Sequence, residues 1–125
     1  MTKSTGDWVA IHGALVAILR AEMDPRTALL LGANRRKIGL ALEEYEAQRL
    51  AAVDAIGGQD TLERNDLVDG RRPQVVFGAK ISELFEVPLT VETLDRIKMD
   101  ALTKVHSVQG QHFVTIADLI DDSGP

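Results

Sequence analysis

The sequence predicts an α+β fold that is mostly α. It has an N-terminal antiparallel helical hairpin over residues 8–57 and a smaller C-terminal part of short strands and short helices. Three observations predict it. Apolar residues recur at spacings of three and four through the first 56 positions, the period of an amphipathic helix. Asp24-Pro25 is a helix start and Gly57-Gly58 a helix stop. Beyond Gly58 the long period ends and short, turn-punctuated segments follow. A length of 125 residues supports one domain, read as hairpin (8–57), polar loop (58–73), mixed segments (74–120) and tail (121–125).

The first helix is expected from Trp8 to Met23. Trp8, Ile11, Leu15, Ile18 and Leu19 form its stripe, and Asp7 is the expected N-cap. Gly13 weakens it, because a mid-helix glycine costs about 1 kcal/mol relative to alanine. The second helix begins at Asp24-Pro25, where proline has no amide to leave unpaired. Its stripe is Ile38, Leu42, Tyr45, Ala52, Val53 and Ile56, with Arg49 as the one charged step. A straight helix from Pro25 to Ile56 would span roughly 48 Å at 1.5 Å per residue. A compact chain of this length has a radius of gyration of only about 14 Å. The helix therefore bends near Gly32 or Gly39, or the molecule is elongated, or another subunit covers the excess. On this reading Trp8, Ile11, Leu15, Ile38, Leu42, Tyr45 and Val53 are the hairpin and interface residues.

After Gly58, Gln59 to Pro73 reads as a polar loop with a turn at Asp69-Gly70. Gln74 to Phe77 reads as a short strand, and Ala79 to Glu86 as a short helix with Ile81, Leu84 and Phe85 on one face. Val87 to Val91 is β-branched and extended, with Pro88 at an edge or a strand start. Asp95 to Leu102 fits either period. Lys104 to Gly110 is a turn region, and His112-Phe113-Val114 a candidate strand. Thr115 is the expected cap of a last short helix through Ile120, with Asp118 in a capping-box position.

Composition removes several functions. Zero cysteine excludes a disulfide scaffold, a thiolate zinc site and a cysteine nucleophile. A net charge of −5 argues against general phosphate-backbone binding. Five aromatic residues are few for a base-stacking surface. No apolar run approaches the ~18 residues of a membrane span, and Trp8 to Leu19 lacks the flanks of a signal peptide. A cytoplasmic location is expected.

Arg35-Arg36-Lys37 is the densest positive charge and Arg71-Arg72 the second. Arg35, Arg36, Arg71 and Arg72 are candidate donors for a small anionic ligand. Glu43, Glu44 and Glu46 cancel their field toward a nucleic acid. His106, His112, Asp118, Asp121 and Asp122 lack the spacing of a known metal motif, so no metal is expected. Ser4, Ser82, Ser107 and Ser123 have no nucleophile-elbow context, and no glycine-rich phosphate motif occurs. No cofactor and no catalytic residue are expected.

Met23-Asp24-Pro25-Arg26-Thr27-Ala28, then Asn34-Arg35-Arg36, then Leu42-Glu43-Glu44-Tyr45-Glu46-Ala47-Gln48-Arg49 form one pattern inside the long helix. With Phe85-Glu86-Val87-Pro88-Leu89, Ile97 to Leu102 and Ile116 to Leu119, it resembles a group of small proteins encoded by tailed bacteriophages and prophages. The resemblance covers about Ile11 to Leu102; Gln59–Pro73 and Lys104–Val114 depart from it. It implies a phage origin and carries over no catalytic residue. The expected function is that of a non-enzymatic accessory protein acting by protein binding and self-association, with a second copy or a phage or host protein as partner. The alternatives are a virion connector or decoration subunit, and a binder of an anionic nucleotide-like molecule in counter-defence.

Overall fold

The computed structural model describes residues 1–121. It is a mostly helical α+β fold: seven α-helices and two two-stranded sheets among the described residues. Strand β1 (Thr2–Ser4) leads into α1 (Thr5–Ile18). The Ser4 hydroxyl accepts from the Asp7 amide at 3.1 Å, so Ser4 is the N-cap and Asp7 sits in the first turn. The helix thus starts three residues earlier than Trp8 and ends at Ile18, not Met23. The sequence stripe lands as expected: Trp8, Ile11, Leu15 and Ile18 are buried.

Helix α2 (Pro25–Ala41) begins as predicted, with the Asp24 carboxylate accepting from the Thr27 amide (3.0 Å) and hydroxyl (2.7 Å). These bonds favour the ionised form and hold the Asp24 carboxyl below its ordinary range. The expected long helix then breaks at one residue. Leu42 leaves helical geometry (φ −87°, ψ 0°) before α3 (Glu43–Ala55) resumes. Its amide still donates to Ile38 (3.0 Å) and Gly39 (3.2 Å), and its carbonyl accepts from Glu46 at 2.9 Å. The result is a bend, three residues past Gly39. Leu42 itself is buried in the core, which draws the chain inward at that point. Helix α3 ends at Gly57 (φ 107°) and Gly58 (φ 101°), conformations that side chains other than glycine rarely adopt.

The predicted polar loop 58–73 holds a short helix, α4 (Gln59–Arg64), and a tight turn closed by a Val68–Arg71 bridge. Asp69 (φ 52°) and Gly70 (φ 78°) form that turn where the sequence placed it. The predicted strand 74–77 does not form. One helix, α5 (Pro73–Phe85), runs through it and absorbs the short helix expected from Ala79. Pro73 opens it at the first helical position, and this local start overrides the β-branched pair Val75-Val76.

Strand β2 (Pro88–Thr90) pairs antiparallel with β1, Thr2 opposite Thr90, and Pro88 is its first residue. Residues 95–102 resolve into both options the sequence allowed: β3 (Ile97–Lys98), then α6 (Met99–Thr103). The strand expected at 112–114 is instead helical, within α7 (Gly110–Thr115). Thr115 is the last residue of α7 and donates its hydroxyl back to Gln111 at 3.0 Å; it caps nothing. A 3-10 turn (Ala117–Leu119) leads to β4 (Ile120–Asp121), which pairs parallel with β3. Beyond Asp121, the predicted tail lies outside the described residues.

The core lies where α1, α2 and the C-terminal segments meet. Trp8, Leu15, Ile18, Leu31 and Ile38 are sealed by Val91, Ile97, Leu102, Ile116 and Leu119. Helix α1 packs along α2, and α3 packs on α5. At the foot of α5 a Cβ on Gly6 would lie 3.0 Å from the Phe85 Cβ and Cγ, so glycine permits the close approach of α1 and α5. Gly13 is the opposite case: a Cβ there meets nothing within 4 Å. Gly13→Ala is expected to stabilise the protein by about 0.5–1 kcal/mol, read as a raised urea midpoint with an unchanged slope.

Candidate interaction surface

From Glu43 to Phe85 the chain buries only Val53, Pro73 and Leu84. The cause is composition. Helix α3 carries Ala47, Ala51, Ala52 and Ala55, which are too small to reach far into α5. Between the two helices runs an apolar groove of about 460 Å³, floored by Ala51, Ala52 and Ala55 and walled by Val76 and Phe77. Gln48 and Lys80 are its polar lining residues. A second compartment of about 450 Å³ continues past Ile56 to Val68, Asp69 and Arg71. Leu67, Val68, Val75 and Val76 stand exposed along this arm.

The arm also carries the charge. Residues 43–86 hold ten of the 19 acidic residues and five of the 14 basic ones, so the whole net charge of −5 resides there. Arg49 is paired with Glu46 at 2.5 Å and Lys80 with Glu83 at 3.8 Å. The guanidinium bonds hold the Glu46 carboxyl below its ordinary range. The lining of the first compartment is apolar apart from Gln48 and Lys80, so what it offers is mainly apolar contact.

The predicted hairpin residues divide. Trp8, Ile11, Leu15, Ile38 and Leu42 are core, and the Trp8 indole donates to the Leu89 carbonyl at 2.7 Å. Val53 is buried on α3. Tyr45 is half-buried with its ring 5.8 Å from that of Phe85, and burial raises its phenol above the ordinary value. These side chains are therefore committed within the chain.

The basic candidates lie on different elements. Arg35 and Arg36 are exposed midway along α2; Arg71 and Arg72 precede α5. The Arg72 guanidinium donates to the Asn65 carbonyl at 2.7 Å. Arg71 faces the second compartment beside Asp69. Arg35 lies near His12, whose pKa is lowered first by burial and then by that charge. No hydrogen bond of the described residues joins the two arginine pairs. Among the described residues no three His, Asp or Glu side chains are placed to hold a metal; Asp118 pairs with Lys3, and Asp121 lies 3.5 Å from Lys98. No described helix is long and apolar enough to cross a membrane.

Two features escaped the sequence reading. Asn34 is fully buried on α2 and clamps the backbone of Asp95. Its position between Leu31 and Ile38 on the inner stripe was the available signal. The second is a row of exposed leucines on the outer face of α2 and α3 (Leu29, Leu40, Leu50), visible in the sequence only once the buried face is known. No family model matches the chain, and no curated protein or solved structure is significantly similar to it.

Proposed function

We propose that this chain is a phage-encoded accessory protein that acts in the host cytoplasm by binding another protein, with no catalysis of its own. The antiparallel α1–α2 hairpin serves as its rigid scaffold and the α3–α5 arm as its contact. One observation carries this reading: the apolar surface of the arm is uncovered. The accessible surface is 8084 Å². A compact 13.6 kDa monomer exposes about 6,600 Å² by the usual scaling with mass. That surplus belongs to the whole chain; on the arm, Leu67, Val68 and Val75 are exposed apolar side chains that a partner would cover. The phage assignment rests on the Leu42–Arg49 pattern and its companions alone.

A photoreactive residue at Ala52, on the groove floor, tests it in cells that make the protein. A discrete protein adduct is expected on irradiation, absent when the same group replaces exposed Glu63 on α4. No adduct from Ala52, or equal adducts from both positions, removes the reading.

A further inference from the structure

We propose that the cavity between the turn after α1 and the loop after α6 binds a small phosphorylated sugar, its phosphate on Arg20, Lys104 and His106 and its hydroxyls on Glu22 and Ser107. This site is separate from the α3–α5 groove and does not depend on it.

The cavity measures about 620 Å³, within the usual ~300–1,000 Å³ of small-molecule sites. Two stretches far apart in the sequence build it. One is Arg20 to Met23; the other carries Lys104, His106 and Ser107. Leu19 and Met23 pack against the core, and the turn between them leaves Arg20 and Glu22 exposed. The Arg20 and Ala21 amides donate to the Ala17 (3.3 Å) and Ile18 (3.0 Å) carbonyls, which satisfies two acceptors at the negative end of α1. On the opposite side Val105 is buried, with its amide on the Leu102 carbonyl at 3.0 Å. Lys104 and His106, on either side of that anchor, are exposed. Ser107 stands at φ 66°, a left-handed conformation that serine seldom adopts.

Charge decides the ligand. In a chain of net charge −5, this cavity gathers two permanent cations and an imidazole against one carboxylate, Glu22. Among the described residues none of Arg20, Glu22, Lys104 and His106 makes an ion pair or a side-chain hydrogen bond. The neighbouring Asp24 carboxylate feels the Lys104 charge, but it is committed to the Thr27 amide (3.0 Å) and hydroxyl (2.7 Å). The guanidinium and ammonium donors are therefore free, and a phosphate is the anion whose oxygens suit a guanidinium fork and an ammonium together. Arg35, Arg36, Arg71 and Arg72, the basic residues prominent in the sequence, share no such cavity: the first two lie on α2 and the others before α5.

Glu22 narrows the class. It would repel a bare phosphate, whereas a phosphate carried on a polyol brings hydroxyls that donate to the carboxylate. The Ser107 hydroxyl donates or accepts beside it. Ala21 and Met23 supply an apolar wall for the carbon face of a sugar. No Phe, Tyr or Trp is among the lining residues, so nothing there offers a platform for stacking a nucleobase.

Titration of the full chain followed by amide nuclear magnetic resonance tests the site, with ribose 5-phosphate, glucose 6-phosphate, inorganic phosphate and ribose as probes. At least one sugar phosphate is expected to give saturable shifts at Ala21 and at residues 104–107, with inorganic phosphate about tenfold weaker and ribose inert. Arg20→Ala and Lys104→Ala, both at exposed positions, are each expected to weaken binding of the sugar phosphate about tenfold with an unchanged melting temperature. Glu22→Ala is expected to erase the difference between sugar phosphate and inorganic phosphate. No saturable shift from either sugar phosphate up to about 10 mM overturns the proposal, as does wild-type affinity in the doubly substituted Arg20→Ala, Lys104→Ala chain. Equal shifts at the amides of Arg35 and Arg71 would show diffuse attraction to surface cations, which overturns it too. Inorganic phosphate binding as tightly as both sugar phosphates overturns the assignment of a sugar.

Discussion

Trp8→Ala is expected to lower stability by about 3–5 kcal/mol, the range for emptying a large aromatic site in a core. A protein of this size has roughly 5–15 kcal/mol in all, so the variant sits at the edge of folding at 37 °C. Two losses add. Trp8 is wholly buried and touches both α1's neighbours and the strand β2 region. Its indole N–H satisfies the Leu89 carbonyl at 2.7 Å, which alanine leaves without that donor. Tyr45 and Phe113 pack against the same core from partly buried positions. Urea unfolding followed by far-ultraviolet circular dichroism measures the effect, since the variant has no other tryptophan to report fluorescence. Trp8→Phe should recover most of the loss. A change below about 1 kcal/mol for the alanine variant would mean that the site collapses freely.

Asn34→Ala is expected to cost about 2–4 kcal/mol, more than its size implies. The side-chain amide makes two bonds to one backbone unit: Nδ2 donates to the Asp95 carbonyl at 2.7 Å, and Oδ1 accepts from the Asp95 amide at 2.8 Å. The pairing mimics a strand edge, and it is the fastening of residues 91–96 to α2. Lys37 adds a bond to the Thr93 carbonyl, and Thr93 stands at φ 60°, a conformation unfavourable for a β-branched residue. With Asn34 gone, the segment is expected to relax from that geometry. Native-state hydrogen exchange at the Asp95 amide should rise at least as much as the global stability falls, which separates a local release from a general weakening. Asn34→Asp is expected to be worse than alanine, because a buried carboxylate would face the Asp95 carbonyl. Retained protection at Asp95 in either variant would show that the clamp is redundant.

The sequence disclosed what depends on neighbours in the chain. Asp24-Pro25 opened α2 and Gly57-Gly58 closed α3 because capping is local chemistry. The inner stripe Trp8, Ile11, Leu15, Ile38 and Leu42 was legible because helical period survives any tertiary arrangement. What failed was decided at a distance or by a competing local signal. Thr2–Ser4 is a strand only because residues 88–90 lie beside it. Val75-Val76 and Phe113-Val114 look like strands by propensity yet are helical, the first behind Pro73 at a helix start. The same N1-proline signal that identified α2 was present at Pro73 and was outweighed by the β-branched pair. The α3–α5 arm was half legible: the overlong helix was expected to bend, to elongate the molecule or to be covered by another subunit, and it bends at Leu42, while the groove needs α5, which the sequence reading had cut in two.

The β1–β2 ladder joins Thr2–Ser4 to Pro88–Thr90, and the Thr5 amide and hydroxyl both bond to the Val87 carbonyl. Chains grow from the N-terminus at about 5–20 residues per second. The first strand therefore waits roughly 4–17 seconds before its mate exists, and longer before the mate clears the ribosome. Over that interval α1 has neither its sheet nor the segments that seal Trp8. The first strand made is completed only after the second, so a nascent chain holds this apolar helix open for chaperones until residues 88–90 emerge.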